Sequence, residues 1–169
     1  MRYEIGYCSK TGNTERIALA LKSRLEDQEC ILADIDSQEP TLDADVYLIG
    51  FCVRRHACPF KVLEWLEQLE GKTVVLYCTS ALSSIPGYRE RIEAQIRPFL
   101  PTDCAYMGLH LCPSSMTQEE FSYLEAQMTQ NGKQENLPKL QQMYEDSLSH
   151  PDDKDIDEVI EFVREKLQS

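Results

Sequence analysis

Residues 8–14 read CSKTGNT and follow a short strand-like run, MRYEIGY, at residues 1–7. Beyond this loop, residues 17–25 place their apolar side chains at the spacing of one helical face. The order predicts a strand, a loop and a helix. A helix start leaves backbone N–H groups unpaired, and together with the helix dipole these groups favour an anion. The stretch therefore raises the question of whether the loop binds a phosphate.

The side chains of this loop fit a single phosphate monoester. Hydroxyl groups of Ser9, Thr11 and Thr14 surround Gly12, which has no side chain to block close approach of the backbone to a ligand. The GxxxxGK[ST] pattern of nucleotide triphosphate sites and the GxGxxG pattern of dinucleotide sites are both missing. From spacing alone, a turn that only caps the helix and binds no ligand is equally compatible.

Strand-like and helix-like segments alternate along the chain as far as residue 112. Further strands are predicted at 30–35, 45–51, 72–79 and 103–112, and further helices at 59–69 and near 88–99. Only the connection from the second to the third strand is too short and unpatterned for a helix. The alternation predicts an α/β fold, a three-layer doubly wound arrangement around a five-stranded parallel sheet.

The pattern changes after residue 112. Two helices are predicted at 117–129 and 137–148, and a final amphipathic helix follows Asp152, which can act as its N-cap. We therefore expect residues 1–169 to form a single domain with a helical insertion at about 113–150 before the C-terminal helix.

Composition limits the classes of partner and the cellular compartment. Seventeen basic and twenty-nine acidic residues give a net charge of −12, which argues against nucleic acid and anionic membranes and permits docking to a basic protein. Short apolar runs and an initial strand predict neither a transmembrane segment nor a signal peptide. Seven cysteines in mostly strand-like runs predict reduced thiols in the cytoplasm. Only Cys52 and Cys58 are expected to be available for chemistry.

The stretch SKTGNT, residues 9–14, resembles the phosphate-binding signature of flavodoxins, [TS]-x-[TS]-G-N-T, at every specified position. The strand and helix order of nearly the whole chain is similar to the flavodoxin-like fold, with strand order 2-1-3-4-5. Residues 49–82 and the segment SLSHPDDKDIDEV at 147–159 resemble a less-characterised branch of the family, with an HPD-type segment before the last helix. The resemblance implies the cofactor FMN, with its phosphate at residues 9–14.

The same resemblance implies that the isoalloxazine ring lies between the loops that follow strands three and four. Aromatic candidates for stacking on the ring are Phe51, His56 and Tyr88, whereas Trp65 is expected in the core. No catalytic residue and no metal ligand is expected. The implied cofactor-binding residues are Ser9, Lys10, Thr11, Gly12, Asn13, Thr14, Phe51, Cys52, Val53, Arg54, Thr79, Ser80, Ala81 and Leu82.

The loop after strand three departs from the flavodoxin pattern. It reads FCVRRHAC at 51–58, where many flavodoxins have an aromatic residue and acidic neighbours. Arg54 and Arg55 would place positive charge beside the reduced, negatively charged flavin or beside an anionic partner. The alternative is that both arginines point to solvent.

Three functions are compatible with these features. The first is an FMN-binding electron carrier between a reductase and an acceptor enzyme, whose redox protein partner has a basic docking surface. The second is an FMN-dependent NAD(P)H oxidoreductase acting on a small molecule, and the third is a flavin-free interaction module. No GxGxxG motif for a nicotinamide cofactor is present, which favours the carrier over the enzyme. The oligomeric state stays open.

Overall fold

The computed structural model describes residues 1–169 and contains one parallel sheet of five strands. The order in the sheet is β2-β1-β3-β4-β5, and each pair of neighbours is parallel. The predicted α/β fold with strand order 2-1-3-4-5 is therefore confirmed. The strands are β1 (Arg2–Cys8), β2 (Glu29–Asp34), β3 (Val46–Cys52), β4 (Thr73–Ser80) and β5 (Ala105–Pro113).

Helices cover both faces of the sheet. Helices α1 and α6 pack on one face, and α2 and α3 pack on the other together with residues of α4 and α5. No helix forms between β2 and β3, as the unpatterned sequence there predicts. The helices are α1 (Asn13–Arg24), α2 (Phe60–Leu66), α3 (Tyr88–Ile96), α4 (Gln118–Gln130), α5 (Leu137–Ser147) and α6 (Asp153–Gln168). None of them has the length and apolar character needed to cross a membrane.

Helix α6 begins at a capping box that also uses the preceding histidine. The Asp152 carboxylate accepts a hydrogen bond from the N–H of Asp155 at 2.9 Å, which lowers the pKa of Asp152. The Asp155 carboxylate in turn accepts from the N–H of Asp152 at 2.8 Å and lies 2.5 Å from Nδ1 of His150. These three side chains lie close enough together to be metal ligands, but the helix cap already accounts for their arrangement.

The centre of the sheet depends on a glycine in β3. Gly50 pairs with Tyr77 of β4, and the fully buried Tyr77 ring lies directly over it. A Cβ atom added at Gly50 would overlap that ring. This close approach therefore requires a residue without a side chain.

We expect Gly50→Ala to lower the free energy of unfolding by roughly 2 kcal/mol or more, because its methyl group would overlap the Tyr77 ring. Urea denaturation measures the change. In the double variant Gly50→Ala/Tyr77→Ala the smaller side chain makes room, so the combined loss should be less than the sum of the two single losses. Additive losses would contradict the overlap.

Candidate functional site

The loop between β1 and α1 exposes unpaired backbone donors. It turns at Gly12, whose φ of +90° lies in the left-handed region that glycine tolerates. The Gly12 N–H donates to Ser9 Oγ at 3.1 Å, whereas the N–H groups of residues 13–15 make no hydrogen bond within the protein. Free N–H groups at the positive end of a twelve-residue helix form an anion site.

The hydroxyl groups of the loop are used in different ways. Thr14 Oγ1 lies 3.1 Å from Thr79 Oγ1, and both residues are fully buried. The Thr14 hydroxyl therefore ties α1 to β4 and does not face the open loop. Ser9 Oγ accepts from the Gly12 N–H and keeps its own O–H to donate, and Thr11 is the exposed hydroxyl residue of the loop.

A cavity of about 330 Å³ opens at the carboxyl edge of the sheet, beside this loop. It brings together predicted residues from the loops that follow β1, β3 and β4, and Arg55 lines it as well. The other first-loop residues, Ser9 and 12–14, adjoin the lining without forming part of it. The predicted residues that line the cavity are Lys10, Thr11, Cys52, Val53, Arg54, Ser80 and Ala81.

The aromatic side chains predicted to stack on a ring lie outside this cavity. Phe51 is fully buried and packs in the core on the face of the sheet covered by α2 and α3. Its prediction as a stacking residue was wrong, because β3 continues through Phe51 and turns the ring into the core. The Tyr88 hydroxyl lies 3.2 Å from Nδ1 of His56, so these two side chains contact each other.

Thr79 and Leu82 are also buried, and neither side chain lines the cavity. Trp65 lies in the core, as predicted.

The loop after β3 contains a tight turn without glycine. Arg54 and Ala57 exchange two backbone hydrogen bonds of 2.9 Å, and φ is +48° at Arg55 and +63° at His56. Positive φ at both central residues is the signature of a type I′ turn. Each left-handed residue costs about 1–2 kcal/mol when it is not glycine.

Contacts with three other residues hold this turn. His56 contacts Tyr88, as described above, and its carbonyl oxygen accepts from Gln95 Nε2 at 2.9 Å. The Arg55 guanidinium lies 4.9 Å from the centroid of the Tyr123 ring. Burial lowers the pKa of His56, and the positive charge of Arg91 lowers it further. The turn is therefore fixed from α3 on one side and from α4 on the other.

The cavity contains one cation with an unsatisfied donor and one carboxyl group outside any ion pair. Nε of Arg54 is buried without an acceptor, and its Nη2 has only a weak thiol contact, 3.7 Å from Cys8 Sγ. Lys10 pairs with Glu119 at 3.2 Å. Glu120 also lines the cavity, and burial raises its pKa while the charge of Lys10 opposes the shift.

Part of the lining comes from the helical insertion, none of whose residues was predicted from the sequence to belong to the site. Asn13 Nδ2 donates to Ser115 Oγ at 3.0 Å, and Thr117 caps α4 by accepting from the N–H of Glu120 at 3.0 Å. The Thr-x-x-Glu pattern locates the start of α4, but no local pattern shows that the helix returns to the cavity. The residues missed are Ser114, Ser115, Thr117, Glu119, Glu120 and Tyr123.

The two loop cysteines differ in their surroundings. Cys58 is buried, so its predicted availability for chemistry was wrong; it packs in the core on the α2 and α3 face. Cys52 is half-buried and lines the cavity, and burial raises its pKa. The Cys52 thiol is therefore protonated at neutral pH.

A second cavity of about 240 Å³ lies beside the first and shares Ala81 and Ser114 with it. Its remaining lining is mostly polar and comes from the loop after β4, the end of β5, α5 and the turn before α6. These residues are Ser83, Ser84, Pro113, Met143, Asp146, Ser147 and His150.

Comparisons with known proteins agree with this architecture. The flavodoxin-like domain-containing protein BilS of Clostridioides difficile (strain CD3) is 22% identical over 170 residues, which cover 99% of this chain and 97% of that protein. The two-electron reduced flavodoxin of Megasphaera elsdenii superposes with a TM-score of 0.50 at 20% identity, over 64% of this chain and 84% of its own. A flavoprotein in complex with FMN from Lactobacillus acidophilus NCFM gives a TM-score of 0.51 at 17% identity, over 65% of this chain and 92% of that flavoprotein. The sequence model of the flavodoxin domain matches residues 4–164, nearly the whole chain, and the protein therefore belongs to the flavodoxin-domain family.

Proposed function

We propose that this protein binds FMN and carries electrons between a reductase and an acceptor enzyme. The observation that carries the proposal is the cavity at the carboxyl edge of the sheet. There, Lys10 and Thr11, which precede the free donors of the first loop in sequence, line the cavity together with residues after β3 and β4. Membership of the flavodoxin-domain family and the FMN bound by the similar Lactobacillus flavoprotein support the choice of cofactor.

The first loop fits the phosphate of FMN. Its free N–H groups at residues 13–15 and the exposed hydroxyl of Thr11 are donors to phosphate oxygens. The side chains of Asn13 and Thr14 fix the loop against Ser115 and Thr79. Phosphate binding is thus assigned mainly to backbone donors, which the surrounding side chains hold in place.

The loops after β3 and β4 fit the ring of FMN, which supplies one- and two-electron chemistry when bound. Residues 52–55 and 80–81 line the cavity from two sides. Arg54 places its charge there with a buried and unsatisfied N–H. A positive charge of this kind stabilises a flavin that gains negative charge on reduction.

The charge distribution supports electron transfer with a basic protein. The chain has a net charge of −12, whereas the cavity lining holds three cationic residues, Lys10, Arg54 and Arg55, and two acidic ones, Glu119 and Glu120. An acidic surface steers a basic redox partner to the protein. The cofactor site itself keeps a local positive charge that favours a reduced cofactor.

A second candidate function is FMN-dependent reduction of a small molecule. The observation that favours it is the polar second cavity, which shares Ala81 and Ser114 with the first and would place a ligand beside the ring. A carrier needs no such cavity.

Flavin titrations and NAD(P)H oxidation distinguish these functions. We expect the purified protein to bind FMN at one site and to bind riboflavin, which has no phosphate, more weakly. We also expect no steady oxidation of NAD(P)H by the isolated protein. Steady oxidation would favour the reductase, and failure to bind either flavin would overturn both candidates.

We expect Gly12→Ala to weaken the affinity for FMN about tenfold and to leave the affinity for riboflavin almost unchanged. A Cβ atom has free space there, but φ is +90°, so alanine strains the turn that aligns the N–H donors by about 1–2 kcal/mol. Fluorescence titration with both flavins measures the effect.

Gly132→Ala is the matched control for this prediction. Gly132 also has a positive φ, +66°, and open space for an added Cβ atom, but it lies after α4 and does not line the cavity. The Gly132→Ala variant should lose stability without losing affinity for FMN. Equal losses of FMN affinity in both variants would contradict a phosphate site at Gly12.

We expect Arg54→Gln to lower the potential at which the bound flavin takes up its second electron by roughly 60 mV. This shift corresponds to about 1.4 kcal/mol for one electron. Its cause is the lost charge of a partly buried guanidinium. Spectroelectrochemical titration measures the potential. Arg54→Lys keeps the charge and should stay near the wild-type value, and an unchanged potential in Arg54→Gln would contradict this role.

A further inference from the structure

The segment between β5 and α6 returns to the cavity and contacts two of the loops around it. Ser115 accepts from Asn13 of the first loop at 3.0 Å, and Glu119 pairs with Lys10 of the same loop at 3.2 Å. Farther along α4, the Tyr123 ring lies 4.9 Å from the Arg55 guanidinium. The start of α4 therefore lies across the space between the phosphate loop and the turn after β3.

Tyr123 is the one aromatic residue in the cavity lining. Phe51 is buried in the core and Tyr88 contacts His56, so the loops after β3 and β4 contribute no aromatic surface. The planar groups available to a flat ligand are the Tyr123 phenol and the guanidinium groups of Arg54 and Arg55. Two of these three groups already lie against each other.

We propose that the Arg55–Tyr123 pair is the wall of the cavity against which the flavin ring packs, so that the inserted helix α4 is part of the cofactor site. The proposal rests on the proposed binding of FMN. Phenol rings and guanidinium planes both stack on flat heteroaromatic groups, and both residues line the cavity.

The strained turn supports this assignment. Arg55 and His56 adopt positive φ without being glycine, and such outliers persist where the surrounding structure needs a particular orientation of the chain. His56 uses that orientation to reach Tyr88, and Arg55 uses it to reach Tyr123. The turn therefore directs Arg55 towards α4 and the cavity.

The protein contains a comparable pair away from the cavity. The Arg97 guanidinium lies 4.8 Å from the centroid of the Tyr106 ring, and neither residue lines the cavity. Loss of this pair removes a contact of the same kind without touching the proposed ring site. Arg97→Ala is therefore the matched control for Arg55→Ala.

The experiment is a titration of wild type, Tyr123→Ala, Tyr123→Phe, Arg55→Ala and the double variant Arg55→Ala/Tyr123→Ala with FMN and with riboflavin. We expect Tyr123→Ala to weaken the affinity for both flavins by a similar factor, about tenfold or more, because the wall contacts the ring and not the phosphate. Tyr123→Phe should bind like wild type. The affinity of the double variant should fall by less than the product of the two factors by which the single variants lose affinity, because the residues act as a pair.

Emission of the bound flavin gives a second measurement. Stacking on a phenol ring quenches flavin fluorescence, so FMN bound at saturation should emit more strongly in Tyr123→Ala than in wild type. Tyr123→Leu, which keeps much of the apolar volume, should show the same two changes and serves where the alanine variant does not fold.

Two outcomes separate this inference from the proposed function. If wild type binds FMN and both Tyr123→Ala and Tyr123→Leu keep its affinity and emission, the proposed role of the wall is contradicted and the proposal of FMN binding stands. If wild type binds neither flavin, the proposed function fails and the wall fails with it. If Arg97→Ala weakens the affinity for FMN as much as Arg55→Ala does, the effect is not local to the cavity and the proposed role of the wall is contradicted.

Discussion

A buried hydrogen bond between the hydroxyls of Thr14 and Thr79 fixes the first loop relative to the sheet. Strand β3 lies between the two partners, since β1 pairs with β3 and β3 pairs with β4. Both residues are fully buried, so either hydroxyl would lose a partner that water cannot replace if the other were removed. The start of α1 is thereby held at the carboxyl end of β4, and the cavity forms where these elements meet.

The fold and the first loop could be predicted because their signals are local. Alternating strand and helix patterns lead to a parallel sheet, and the turn at Gly12 follows from a residue type that tolerates positive φ. The continuously apolar β3 has six buried residues in succession, as expected for a central strand with helices on both faces. Each of these inferences depends on neighbours in sequence.

The conformation of the turn after β3 and the contribution of α4 could not be predicted, because both depend on contacts between distant residues. Turn rules favour Asn-Gly for positive φ at two positions, whereas here Arg55 and His56 adopt it and are held by Tyr88, Gln95 and Tyr123. The contact between Asn13 and Ser115 spans 102 residues. No periodicity within α4 indicates which of its polar side chains face a cavity.

The free energies of the contacts around the turn after β3 show that the contacts from α3 stabilise it more than those from α4. Two left-handed residues cost together about 2–4 kcal/mol. From the α3 side, the hydrogen bonds of His56 with Tyr88 and Gln95 offset about 1–3 kcal/mol, whereas a cation–π contact such as Arg55 on Tyr123 adds about 0.5–2 kcal/mol. The exposed pair of Lys10 and Glu119 contributes less than about 1 kcal/mol.

The shape of the turn therefore depends mainly on α3, and α4 contributes a surface and a charge pattern. By pairing with Lys10 and covering one side of Arg55, α4 leaves Arg54 as the cation with an unsatisfied donor in the cavity. Its Glu120 carboxyl also lines the cavity; burial raises the pKa of this group, and the charge of Lys10 opposes the shift. Helix α4 thus contributes both an aromatic surface, Tyr123, and two acidic side chains, Glu119 and Glu120, to the cavity.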